Sequence, residues 1–168
     1  MDEVLIGIDP GLAATGYGVI SVRGTAIVHR DHGVIRTSSS DATGKRLNIL
    51  YKEISRLLDL YQPTGVGIEQ LFFAKNVTSA LPVAEARGVV LLCLEQRALL
   101  TQEFTPLEIK QSIVGVGRAT KEQVQEMVKF LLGLTQKPKP DHAADALAAA
   151  ICLYHRSKWH DLSNPRYH

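Results

Sequence analysis

VLIGIDPGLAATGYGVISVRGTAIVHRDHGVIR, residues 4–36, reads as three strands in close succession. VLIGID (4–9) is an apolar run broken by Pro10-Gly11, a pair that turns the chain. TGYGVISV (15–22) and AIVHRDHGVIR (26–36) are rich in β-branched residues and are separated by Gly24-Thr25, a two-residue hairpin turn. Strands joined by turns this short lie antiparallel, so the opening third predicts a meander.

Beyond Asp41 the period changes. Leu47, Leu50, Ile54, Leu57, Leu58 and Tyr61 recur at three- and four-residue spacing, the pattern of an amphipathic helix, which Pro63 ends. TGVGIEQ (64–70) is a short apolar run expected to be a buried strand ending at Glu69. A second helix fits Ser79–Ala98 with Pro82 in its first turn, where a missing N–H costs nothing. TQEFTP (101–106) reads as a strand, Pro106–Ile113 as a short helix, and SIVGVGRA (112–119) as a glycine-bearing loop. Thr120 and Gln123 make a capping box for a helix whose apolar face is Val124, Met127, Val128, Leu131 and Leu132, closed by Gly133. A last helix starts near Pro140 and continues through DHAADALAAAICLYH, whose small side chains allow close packing on a sheet. A meander followed by strand–helix–strand crossovers predicts an α/β fold: a mixed five-stranded sheet with helices on both faces, similar to the RNase H-like fold. Residues 1–156 form the expected domain and 157–168 a C-terminal tail.

At 168 residues the chain has the size of one domain, and its 45% apolar and 21% charged residues are those of a packed globular protein. Cys93 and Cys152 lie inside apolar runs, which favours buried free thiols and a cytoplasmic location. No apolar run reaches the roughly 18 residues of a membrane span, and MDEVLIGIDPG does not read as a secretory signal. The net charge of +2 excludes no partner, because a net count hides local separation of acids from bases.

Three stretches carry acids where chemistry needs them. Asp9 ends the first strand, Glu69 ends the fourth, and Asp141, His142 and Asp145 open the last helix. Singly, each has a structural use: an Asp before Pro-Gly forms turns and an Asp opening a helix caps it. Together they predict one acidic patch, since residues three and four apart share a helix face. Gathered carboxylates repel one another unless a cation neutralises them, and hard oxygen ligands suit Mg²⁺ or Mn²⁺. Two such ions about 4 Å apart can clamp the attacking and leaving oxygens of a phosphodiester displacement.

GIDPGLAATGYGVI (7–20), IEQLFFAKN (68–76), ARGVV (86–90), KQSIVGVGRATKEQVQ (110–125) and DHAADALAAAI (141–151) resemble, in this order, the RuvC-type Holliday-junction resolvases. The resemblance implies a homodimer that nicks four-way DNA junctions symmetrically in recombination and repair, beside a branch-migration motor. It implies two Mg²⁺ per site, with Mn²⁺ able to substitute, and in-line attack by water with departure of the 3′-oxygen. Asp9, Glu69 and Asp145 match the family's metal-binding acids. The remaining family acid falls at His142, where many members carry Asp; the resemblance thus makes His142 the expected fourth ligand, with Asp141, one place earlier, as the alternative. Phe72 matches the aromatic placed beside the strand-exchange point, and Lys110 and Lys121 match lysines near the scissile phosphate. Lys75 and Asn76, on the same segment as Phe72, and Arg118, in the glycine-rich loop, are candidates for DNA phosphate.

Three other functions compete. GIDPGLAATG also resembles the phosphate loop of actin-like and sugar-kinase ATP-binding proteins, but those need two domains around the nucleotide and this chain has length for one. A nuclease of RNA–DNA hybrids or of ribosomal RNA precursor would share the acids. A junction binder without chemistry would gain nothing from carboxylates facing phosphate.

Overall fold

The computed structural model describes residues 2–70 and 77–163. Its elements follow the expected order: β1 (Glu3–Asp9), β2 (Ala14–Arg23), β3 (Ala26–Arg36), α1 (Thr43–Tyr61), β4 (Gly65–Glu69), α2 (Val77–Glu95), β5 (Leu100–Phe104), α3 (Pro106–Val114), α4 (Lys121–Leu131) and α5 (Asp141–Ser163). The sheet order is β3-β2-β1-β4-β5. β1, β2 and β3 form the antiparallel meander, with Gly24 in the left-handed region (φ 61°) at the hairpin. β4 joins β1 in parallel and β5 joins β4 in parallel, so the sheet is mixed.

The alternation of side chains along the strands divides the core in two. Ile6, Ile8, Val19, Val66 and Ile68 face α1 and α2, against Leu50, Ile54, Leu57 and Val90. Leu5, Ile20, Val22 and Phe104 face α5, against Leu147 and Ile151, with α3 and α4 adding Ile109, Ile113, Val124 and Val128. Helices thus cover both faces, the arrangement of the RNase H-like fold.

Three details differ from the sequence expectation. α2 begins at Val77 rather than Ser79, so Pro82 lies past the first turn and interrupts the hydrogen-bond ladder inside the helix. α3 continues to Val114, which leaves residues 115–120 as the glycine-bearing connection; a capping box of Thr105 with Glu108 starts that helix. The boundary expected after residue 156 falls inside α5, which continues to Ser163.

α5 sits unusually close to the sheet. Ala143, Ala144, Ala146, Ala148, Ala149 and Ala150 are all buried. Opposite them the strands carry glycine: a Cβ on Gly7 would fall on the Ala146 carbonyl, and one on Gly16 on the His142 carbonyl. Only backbone meeting backbone permits that approach. It brings the first turn of α5 down onto the end of β1.

Candidate metal centre

Asp9 is the last residue of β1 and Glu69 the last of β4. The two strands are parallel neighbours with Ile8 opposite Ile68, so one rung later both carboxylates emerge at the same sheet edge. The turn after Asp9 is tied off by Thr15, whose Oγ1 donates to the Gly11 carbonyl (2.6 Å) and accepts from the Gly11 N–H (3.1 Å). Asp145 descends on that edge from the first turns of α5. One carboxylate oxygen from each of Asp9, Glu69 and Asp145 lies within 4.8 Å of the other two.

The electrostatics are those of a cluster short of positive charge. Burial, then the charges of Asp9 and Asp145, push the Glu69 carboxyl up to about 8, so it keeps a proton at neutral pH. Burial also raises Asp9, against the opposing hydrogen bond and charge of His142. His142 Nδ1 lies 2.7 Å from Asp9 Oδ2; a carboxylate oxygen accepts, so the imidazole donates. Lys121 Nζ lies 3.0 Å from Asp145 Oδ2 and 3.4 Å from Asp141 Oδ2. Burial works against its charge, but these two partners outweigh that and hold the ammonium above the usual lysine value. Asp141 is held low by the Gln125 amide (3.1 Å) and then by Lys121. Three convergent carboxylates, one of them forced to hold a proton, are a donor set that a divalent cation fits: it would supply the missing charge and accept hard oxygen ligands.

A cavity of about 200 Å³ opens beside the acids, lined by Glu69, Asp145, Lys110 and Lys121 over a floor that includes Ile109 and Ala148. Both lysines singled out from sequence therefore reach the same recess as two of the acids. His142 turns toward Asp9, whereas Asp141 turns away toward Gln125 and Lys121 on α4. Arg118 is exposed on the connection between α3 and α4. Phe72, Lys75 and Asn76 lie outside the described residues. Several other basic side chains have internal partners: Lys137 pairs with Glu126 and Glu122, and Arg156 pairs with Glu108 and covers the Phe104 ring. Sequence reasoning missed Gln125, although its four-residue spacing from Lys121 matches that of Asp141 and Asp145 on the facing helix.

An RNase H-like sheet with a carboxylate cluster at the ends of two parallel central strands defines the class, an α/β domain whose acids are suited to a divalent cation. The family follows from comparison. Residues 5–153 match the family model of crossover junction endodeoxyribonuclease RuvC. The chain is 53% identical over 149 residues to that enzyme from Caldicellulosiruptor saccharolyticus, covering 88% of this chain and 90% of the relative. It is 52% identical to the one from Thermosipho melanesiensis, over 89% and 95% of the two chains. The solved structure of Thermus thermophilus RuvC in complex with Holliday junction substrate superposes with a TM-score of 0.90 at 31% identity, over 94% of this chain and 96% of that one. The chain belongs to the RuvC family of crossover junction endodeoxyribonucleases.

Proposed function

We propose that this protein resolves four-way DNA junctions by paired nicks in homologous recombination and repair, using divalent cations held by Asp9, Glu69, Asp145 and His142. The observation that carries the reading is the convergence of three carboxylates beside a cavity that two lysines also line. The likeness to a relative solved with Holliday junction substrate supports the choice of DNA. The metal is Mg²⁺, two per site, with Mn²⁺ substituting, because the donor set is mostly carboxylate oxygen with one imidazole. Bound there, the cations offset the acids and stabilise the charge that builds on the phosphate during in-line displacement. Without that offset the acids repel a phosphodiester.

The chain's own groups supply the rest. Lys110 and Lys121 neutralise phosphate oxygens in the cavity, and Arg118, Lys75 and Asn76 hold the backbone of the arms. Phe72 stacks on bases at the crossover. His142 rather than Asp141 completes the ligand set, since its ring already reaches Asp9 while Asp141 is engaged on α4.

Two related nicks call for two equivalent sites, and a symmetric dimer provides them. α2 supports this. Ala86, Val90 and Cys93 bury one face, yet Leu81 and Leu92 stand 60% and 53% exposed on the other, with Gly88 between them. A helix apolar on both sides has a second surface to cover, and a second copy covers it. Leu92→Glu should convert a dimer to monomer by sedimentation. The buried free thiols suit the cytoplasm, and a branch-migration motor is the partner that moves the junction past the enzyme.

The deciding experiment incubates the protein with a synthetic four-way junction, a linear duplex and an RNA–DNA hybrid, with Mg²⁺ and with chelator. Symmetric nicks in the junction alone, abolished by chelator, support the reading. Preferential cutting of the hybrid, or cutting in chelator, refutes it.

A further inference from the structure

Lys121 is the first residue of α4, where the helix's unpaired N–H groups make a cation unfavourable and an acid welcome. Its ammonium is held there by the next helix, 3.0 Å from Asp145 and 3.4 Å from Asp141. One turn along α4, the Gln125 amide donates to the other Asp141 oxygen at 3.1 Å. The result is a two-rung ladder between α4 and α5, with Lys121 shared between two acids and Asp141 fixed from both sides.

The two acids are not equivalent. Asp145 belongs to the carboxylate cluster with Asp9 and Glu69; Asp141 does not. Asp145 therefore has two competitors for one carboxylate, Lys121 and a divalent cation, and the double charge of the cation wins. Lys121 has a second partner within reach. We infer that Asp141 is a positioning residue: it retains Lys121 at the edge of the cavity when Asp145 serves the cation, with Gln125 fixing the Asp141 carboxylate. The ammonium then stays aimed at the phosphodiester instead of turning into solvent. This rests on the nuclease reading above, and it makes Asp141 a partner of Lys121 rather than a metal ligand.

A double-mutant cycle on Asp141→Asn and Lys121→Ala tests it, read in two ways. In DNA-free protein, Mn²⁺ titrated against thermal unfolding gives the cation midpoint. Asp141→Asn should weaken that midpoint about threefold, because Lys121 then rests on Asp145 alone, and the loss should vanish when Lys121 is already Ala. In junction cleavage, Asp141→Asn should lower kcat about tenfold with little change in KM, and the double variant should be no slower than Lys121→Ala. Gln125→Leu should reproduce a weaker form of the kcat loss. A cation midpoint that Asp141→Asn weakens equally in the Lys121→Ala protein would make Asp141 a ligand and overturn the inference. Additive losses in kcat, or Asp141→Asn kinetics like wild type, would overturn it too. A wild-type protein that cuts no junction would instead sink the nuclease reading, while the thermal cycle still decides the link between Asp141 and Lys121.

Discussion

Replacing Glu69 by Gln should stabilise the metal-free protein, and by more as the pH rises from about 4.5 to about 8. The Glu69 carboxyl is pushed from 4.5 to about 8, first by burial and then by Asp9 and Asp145. Between those values the folded state holds a proton that the unfolded chain releases, so this group makes stability fall as pH rises from about 4.5 to about 8. The raised Asp9 carboxyl adds in the same direction. At about 1.4 kcal/mol per pH unit the Glu69 shift sets a ceiling of about 5 kcal/mol. Water at the open side of the cavity and small relaxations reduce this to about 2–3 kcal/mol, or roughly 5–10 °C in Tm for a chain of this length. Gln keeps the shape and one amide donor for Asp9 but never ionises. Calorimetry in chelator should therefore show Glu69→Gln melting well above wild type near about pH 8.5 and level with it near about pH 5. Added Mn²⁺ should close the gap at the higher pH by raising wild type alone. An equal difference at both pH values, or a less stable variant near about pH 8.5, would refute the charge-repulsion account of the cluster.

Asp9→Asn and Asp145→Asn should each abolish nicking while junction affinity by gel shift stays equal or rises, since a negative charge facing phosphate is gone; nicking near the wild-type rate would remove that residue from the site. His142→Asp should keep activity and His142→Ala lose most of it, and if the Ala variant cuts like wild type then His142 is not the fourth ligand. Gly16→Ala places a Cβ on the His142 carbonyl, so it should displace the start of α5, cost about 1–3 kcal/mol in unfolding and remove nicking. Unchanged nicking in that variant would mean that the depth of α5 does not set the site.

The meander and the amphipathic helix were legible because each follows a local period: the hairpin turn is two residues, and Leu50, Ile54, Leu57 and Leu58 of α1 are buried as their spacing requires. α2 was less legible. A proline inside a helix costs about 3 kcal/mol, which places it in the first turn on local grounds. The burial of Ala86, Val90, Cys93 and Leu94 outweighs that penalty, and burial depends on the distant sheet. The fork from Arg87 to Glu103, with contacts of 2.6 and 2.7 Å between α2 and β5, was likewise beyond any window of sequence.

The candidate site divides in the same way. The convergence of Asp9 and Glu69 could be anticipated, because both end apolar strands and parallel neighbours finish at one edge. Which of Asp141 and His142 meets Asp9 could not. Consecutive helix residues point about 100° apart, so turning α5 by about that angle would exchange the residue that meets Asp9 for the one that meets α4. What fixes the rotation is contact between backbones remote in sequence. Gly7 lies on the Ala146 carbonyl and Gly16 on the His142 carbonyl, and a side chain at either strand position would lift or turn the helix. A window around Asp141 holds neither glycine, and a window around Gly16 holds no acid of α5. The same contacts that seat the helix therefore decide which side chain meets Asp9 and which meets Lys121 on α4.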